Sequence, residues 1–378
     1  MATVPLIAPS EELREALRAR GGSSAARCFQ CATCSAVCEL APDRRPFPRR
    51  EMLLAQWGLA EELVADPAVW LCHQCNDCTA RCPRDARPGD VLQAVRALVI
   101  ERLAAPAALG RFVANVRSTW PVLLGAPLLL WVLLLGLTGH LVPPAHLVSW
   151  EQVVPHGMIY GVFFPVTLFV LGATWVSGRR FWTLLGSTGP PRRGGFLPAV
   201  AGVLAELATH RKFAGCETAR PRRWGHLALV WGFVGAAVTS GLLIFALYGL
   251  DMELPLPLDH PFKILGNLAA VALLVGVVVL VVERLKVPDR MGRPTAFDTF
   301  FLAVVALVVL SGILVEGARL LLPAAVGLPL YVVHLSLVLT LFATFPYSKF
   351  AHMLYRTLAL THQRMTEDTT GPGRELPG

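Results

Sequence analysis

Eight cysteines in two copies of one spacing constrain this 378-residue chain more than any other feature. The first copy is Cys28-x2-Cys31-x2-Cys34-x3-Cys38. The second begins 33 residues later as Cys72-x2-Cys75-x2-Cys78-x3-Cys82 and is followed by Pro83. In such a run three closely spaced thiolates wrap one [4Fe–4S] cube, and the fourth ligates the cluster of the other run. Two clusters are therefore expected, one on Cys28, Cys31, Cys34 and Cys82, the other on Cys72, Cys75, Cys78 and Cys38. Structural zinc is served by two separated ligand pairs. A disulfide framework belongs to oxidising compartments, and nothing here reads as a secretory signal. The ninth cysteine, Cys216, lies in a basic loop and is expected to be an ordinary free thiol.

A soluble reading fails on the rest of the chain, which is 54% hydrophobic with a mean hydropathy of +0.55. Residues 1–110 are mixed and charged, whereas 119–355 carry successive apolar runs long enough to cross a bilayer. The expected fold is all-α. A small helical domain on two clusters (1–110) precedes a six-helix transmembrane bundle (111–358) and a flexible tail (359–378). Spans are expected at about 119–139, 154–177, 225–249, 262–283, 297–321 and 328–355, with 196–213 as an interfacial or re-entrant segment. In the cluster domain, Ser10 should cap a short helix, a second helix should run from about Arg49 to Ala65, and a third from about Gly89 to Leu103.

Loop charge orients the bundle. Residues 178–224 hold Arg179, Arg180, Arg192, Arg193, Arg211, Lys212, Arg220, Arg222 and Arg223, and 284–296 hold Arg284, Lys286, Arg290 and Arg293; 140–153 and 249–261 hold no Lys or Arg. By the positive-inside rule both termini and the clusters lie on the cytoplasmic side of the inner membrane. The net charge of +8 is thus topological and does not imply nucleic acid.

Ionisable residues inside a membrane are functional candidates. His226 opens the third span and His352 ends the sixth at matching depth, as the two axial ligands of a b-type haem require; Gly225, Gly232 and Gly235 beside His226 would admit a porphyrin. His334 and His352 are eighteen residues apart, about five helical turns or roughly 27 Å, so they share one face of the expected last helix. Such spacing suits one haem near each membrane surface. For a second haem on His334 the partner is His156, with His260 as the alternative; His140 and His146 are expected at the surface. Glu316 and Arg319 form either an interfacial ion pair or, with His334, part of a quinone pocket.

The run Cys28–Cys38, the segment Pro48-Arg-Arg-Glu-Met and the run Trp70–Pro83 resemble the heterodisulfide reductase C-subunit family. The membrane part is similar to the cytochrome b subunit of respiratory nitrate reductase, whose last helix carries two haem-ligand histidines at the spacing of His334 and His352. A fusion of the two resembles the QmoC family, the membrane subunits of the quinone-interacting membrane-bound oxidoreductase. Two departures stand out: Glu39 replaces the usual proline after Cys38, and Ala236 stands where the cytochrome pattern has a second histidine ten residues after the position of His226.

The resemblance implies a membrane electron-transfer subunit. It would connect menaquinone or ubiquinone, through haem b and two [4Fe–4S] clusters, to soluble flavin and iron–sulfur subunits (QmoA- and QmoB-like) and through them to adenylylsulfate reductase. The rival readings are a fused heterodisulfide reductase module, and a non-catalytic membrane anchor or redox sensor holding no haem.

Overall fold

The computed structural model describes residues 9–41, 46–144, 149–188, 191–216, 220–286 and 292–366. His146 and residues 367–378 lie outside the described residues. The fold is all-α, and no strand occurs among the described residues.

The cluster domain starts with α1 (Glu11–Ala19), capped by Ser10 Oγ, which accepts from Leu13 N at 3.1 Å. Its next long segment does not run unbroken to Ala65. Helix α2 (Thr33–Ala36) carries Cys34, and α3 (Arg49–Trp57) stops at Gly58 before α4 (Ala60–Val64). Gly58 has φ +75°, and Leu59 N bonds back to Leu54 O at 2.9 Å, the Schellman geometry that ends a helix. A Cβ at Gly58 would also lie 2.7 Å from Ser10 O, so this turn demands glycine. Helix α5 (Asp77–Ala80) carries Cys78, and α6 (Pro88–Leu103) is the central helix of the domain.

One buried charge in this core gives a prediction. Glu51 is 1% exposed beside Asp66, to which Arg50 donates. Burial first, and then the Asp66 carboxylate, push the Glu51 carboxyl up to about 8 from its ordinary 4.5. A raised folded-state value means that the stabilisation is complete below the unfolded value and is lost as pH rises through the folded one. Between pH 5 and 8 the thermal midpoint should therefore fall. Glu51→Gln should flatten that slope and raise the midpoint at pH 8 by several degrees; an unchanged slope would contradict this burial.

Helix α7 (Ala107–Ala114) leads into the helices that are long and apolar enough to cross a membrane, six among the described residues. They are α8 (Val116–Leu137), α9 (His156–Thr188), α11 (Arg220–Gly249), α12 (Pro261–Lys286), α13 (Ala296–Leu321) and α14 (Ala324–Ala343), and the shorter α10 (Phe196–Thr209) sits between α9 and α11. The chain is thus a multi-pass membrane protein. At 14 residues α10 is only about 21 Å long, too short for a seventh span. It packs along α15 (Ala351–Thr366), and Glu206 is clasped there by Arg364 at 2.7 Å and Lys212 at 3.2 Å.

Three expectations change. The last span is not one helix over 328–355. The chain leaves helical geometry after Ala343, turns through the segment containing Pro346 and restarts at Ala351, so His334 and His352 share no helix face. Residues 359–366 are not tail: Leu360, Thr361 and His362 are buried in α15.

The glycines beside His226 do not face open space either. A Cβ at Gly225 or Gly232 would lie 2.7 Å from Val279 or Leu273, and one at Gly235 2.9 Å from Ala269. They bring α11 and α12 together as small residues do between membrane helices.

The cluster domain and the helix ends form one core. Trp70 stacks on Tyr355 of α15 at 5.2 Å, and Phe181 of α9 meets Tyr355 edge-on at 5.1 Å; all three rings are at most 1% exposed. Each such pair contributes about 0.5–1.5 kcal/mol beyond its buried area. Tyr347 donates to Ala105 O and Arg180 to Ala104 O, both at 2.8 Å. This seam fixes the cluster loops over one end of the bundle.

Candidate redox site

The two cysteine loops repeat each other in backbone as well as sequence. Gln30 and Ala32 have φ +59° and +68°; Gln74 and Asn76, at the same places in the second run, have +57° and +65°. Positive φ is strained for residues with a Cβ and persists where a site requires it. Here it turns peptide N–H groups onto sulfur: Gln30 N donates to Cys28 Sγ at 3.4 Å and Gln74 N to Cys72 Sγ at 3.2 Å. Cys28, Cys31, Cys34 and Cys82 line a single pocket, the four that the spacing assigns together.

The second set converges as well. Burial, and then the charges of Cys72, Cys75 and Cys38, push the Cys78 thiol well up. Burial pushes Cys38 up to about 12, with Cys72 and Cys75 adding to it. Such thiols ionise when a metal takes the proton's place, so both quartets could hold a cluster.

The ninth cysteine is not isolated. Cys216 is 3% exposed and packs with Phe213 against Cys75; its hydrogen bond is the main cause raising the Cys75 thiol, ahead of burial.

Arginines hold the second loop, Arg96 from α6 of the same domain and Arg356 and Arg222 from α15 and α11. Arg96 donates to Cys72 O at 2.9 Å, Arg356 to Cys72 O at 3.3 Å and Leu71 O at 3.4 Å, and Arg222 to His73 O. Arg356 Nη2 also lies 3.0 Å from His73 Nε2, and His73 stacks on Phe213 at 4.8 Å and 10°. Burial, followed by Arg356 and Arg222, holds the His73 imidazole well below its ordinary range, so it accepts from Arg356 as a neutral ring.

One helical turn before Arg356 stands His352, with His226 facing it. Their ring centres are 6.1 Å apart and their planes 72° apart. His352 Nδ1 donates to Lys349 O, which leaves Nε2 with its lone pair. His226 Nδ1 lies 2.7 Å from His210 Nε2, which likewise leaves His226 Nε2 available. A metal with imidazole nitrogens about 2.0–2.1 Å away on opposite sides puts two rings roughly 6 Å apart centre to centre. A ligating histidine normally has its other nitrogen held as these two are. His226 and His352 are therefore the residues that would hold a haem, which would supply one-electron chemistry there.

His210 did not emerge from the sequence. It ends α10 in left-handed geometry at φ +51°, and only the fold brings it to His226. Burial is the first cause lowering its pKa, so it too is neutral.

At the other end of the bundle the expected histidines do not assemble. His334 Nδ1 bonds Ser311 Oγ at 2.9 Å and faces Gly312. His156 Nδ1 is 2.9 Å from Glu151 Oε1, and His260 Nδ1 accepts from Phe262 N at 3.2 Å. Among the described residues no hydrogen bond or ring contact joins His334 to either. Glu316 binds Arg319 at 3.4 Å as expected, and also Lys263 at 2.8 Å. His140 bonds Thr138 Oγ1 at 3.0 Å.

Comparison with known proteins covers both parts of the chain and supports the iron–sulfur domain. Residues 24–86 match the 4Fe–4S dicluster domain. The C subunit of the H(2):CoB-CoM heterodisulfide,ferredoxin reductase of Methanothermobacter thermautotrophicus is 39% identical over 87 residues, 23% of this chain and 46% of that protein. A protein of Archaeoglobus profundus resembling the C subunit of heterodisulfide reductase is 34% identical over 95 residues, 25% of this chain and 50% of that protein. This chain thus spans about half the length of those relatives, and its N-terminal part is an iron–sulfur electron-transfer module like theirs. Citrate utilization protein B of Escherichia coli is 28% identical over 360 residues, 88% of each chain. With residues 117–373 also matching the family model for citrate utilization protein B, the chain belongs to the citrate utilization protein B family.

Proposed function

We propose that this protein is the membrane subunit of a quinone-linked oxidoreductase, carrying electrons between menaquinone or ubiquinone and soluble flavin and iron–sulfur partners. The observation that carries the reading is the His226–His352 pair, with both Nδ1 atoms engaged and ring centres 6.1 Å apart. Haem b held there supplies one-electron chemistry next to the second cysteine loop. The clusters are assigned to Cys28, Cys31, Cys34 and Cys82, and to Cys72, Cys75, Cys78 and Cys38. Cys72 is tied through Arg356 to the helix of His352, so the second cluster is the one nearer the haem.

Both termini and the clusters are assigned to the cytoplasmic side of the inner membrane, because the arginine-rich connections lie at that end of the bundle. The quinone is assigned to the opposite end, where His334 and the Lys263–Glu316–Arg319 group offer proton-carrying side chains. The geometry favours one haem over two, because neither His156 nor His260 meets His334. A haemochrome, iron and sulfide assay of the purified protein tests this. One haem b and two clusters are expected, with the haem kept in His156→Ala and lost in His226→Ala; absence of haem in the unaltered protein would overturn the reading in favour of an anchor.

The soluble partner has two candidate roles. The QmoC resemblance points to a partner that serves adenylylsulfate reductase, whereas the family name points to one acting in citrate utilization, and the match over 88% of both chains favours the second. Reduction of the haem by added citrate, in membranes holding this chain and its soluble partner, would separate the two.

The partner is expected at the first cluster loop. Cys31 is exposed there beside Phe29, 67% exposed under the Arg84 guanidinium at 3.9 Å, and Arg27 and Arg81 are exposed on the same rim. Arg84→Glu should slow electron exchange with an acidic flavodoxin at least tenfold at low salt, with little difference at high salt. An unchanged rate would move the docking face elsewhere.

A further inference from the structure

His210 lies outside the cysteine runs and outside the spans, and the haem reading does not require it, yet several contacts combine to place it. The last carbonyls of α10 are held by α11: Trp231 Nε1 donates to Ala208 O at 3.2 Å and Arg223 Nη2 to Thr209 O at 3.4 Å. Glu206, one turn earlier, is clasped by Arg364 and Lys212. The chain then enters left-handed geometry at His210, φ +51°, which swings the imidazole against α11. Its Nε2 reaches His226 Nδ1 at 2.7 Å, and its ring lies 6.4 Å from that of Phe213, on which His73 of the second cysteine loop stacks.

We propose that His210 is the positioning residue of the membrane redox centre: its Nε2 accepts the Nδ1–H of His226 and so fixes the tautomer that presents His226 Nε2 as a ligand. The inference rests on the haem assignment to His226 and His352 and adds a prediction which that assignment does not make. An acceptor on the far nitrogen of a ligating imidazole raises its basicity. A more basic ligand stabilises the ferric state, so His210 lowers the haem potential. His352 has a backbone carbonyl in the same role, so the two ligands are held by unlike acceptors. Only the one on His226 can be removed by substitution.

The test is an anaerobic optical redox titration of the haem, with the ferric electron paramagnetic resonance spectrum, in unaltered protein, His210→Leu and His210→Gln. In His210→Leu the haem should remain and the ferrous:ferric ratio at a fixed potential should rise about tenfold, about 59 mV for one electron. The ferric g-values should shift as well. His210→Gln, which keeps an acceptor, should return toward the original values. Where His210→Leu does not accumulate with its clusters intact, His210→Met is read in the same way.

A haem in His210→Leu with the original potential and g-values would overturn the proposal. So would a haem lost from all His210 variants but kept in His226→Ala, since His210 would then be the ligand itself. Haem absent from the unaltered protein would sink the underlying assignment instead, and is seen before any variant is made.

Discussion

Cys78→Ala should halve the cluster iron and acid-labile sulfide of the protein and loosen the whole cluster domain. Cys78 is 9% exposed at the centre of the second quartet, where Cys72, Cys75 and Cys38 all raise its pKa. Without a metal that set is a buried group of thiols reluctant to ionise; with one, binding free energy becomes folding free energy. Because Cys38 belongs to the first run and Cys82 to the first pocket, losing one cluster also removes a cross-tie between the two loops. The Arg96 and Arg356 contacts to Cys72 O should weaken with it. Cys216→Ser is the matched control: it touches Cys75 from outside the quartet and should keep full iron and sulfide. Full iron in Cys78→Ala, or half the iron in Cys216→Ser, would contradict the ligand assignment.

Gly276→Leu should be the most damaging change in the membrane part. A Cβ at Gly276 would lie 2.7 Å from Gly225 O and 2.9 Å from Leu229 N, so the obstacle is the backbone of α11, which no rotamer change relieves. Overpacking a core costs about 1–3 kcal/mol where side chains can adjust; here the two helices must part. Gly225 adjoins His226, so the separation would also displace that imidazole from His352. The expected result is a large loss of monodisperse protein in detergent, with reduced haem in what remains. Gly241→Ala, which meets nothing within 4 Å, should behave as the unaltered protein. Equal yield and haem from Gly276→Leu would show that α11 and α12 are not packed through this contact.

Chemistry that depends on spacing along the chain was legible in the sequence. The cysteine runs specify local loops, and the structure gathers Cys28, Cys31, Cys34 and Cys82 round one pocket as the spacing implies. Five of the six spans are recovered within a few residues apart from the cluster-side extensions of α9 and α11, because a bilayer imposes a length on apolar runs. His226 and His352 were legible because matching depth at two span ends is itself a distance constraint.

What escaped the sequence depends on tertiary choice. Pro346, Ser348 and Lys349 interrupt the apolar run after Ala343, but a proline in a span reads equally as a kink. The sequence therefore does not show that the chain turns and sends Ala351–Thr366 under the cluster domain, where the eighteen-residue spacing of His334 and His352 loses its helical meaning. Gly225, Gly232 and Gly235 mark a close approach in either reading, and only the neighbouring helix shows that α12 is what approaches. His210 falls in the segment expected to be interfacial or re-entrant and Cys216 in a basic loop beyond it, with nothing in the spacing to pair either with the motifs, yet each reaches a residue of the redox site.

The central claim is that electrons pass between quinone and clusters by way of the His226–His352 centre. The most direct measurement is anaerobic stopped-flow oxidation of dithionite-reduced protein by a soluble quinone, following haem and cluster absorbance in unaltered protein and His226→Ala. The account predicts that haem and clusters are oxidised together in the first. In the second, which should retain its cluster iron and its sulfide but lack haem, cluster oxidation should slow at least a hundredfold. Clusters oxidised at the original rate in haem-free His226→Ala would contradict it, since quinone would then reach the clusters by another route.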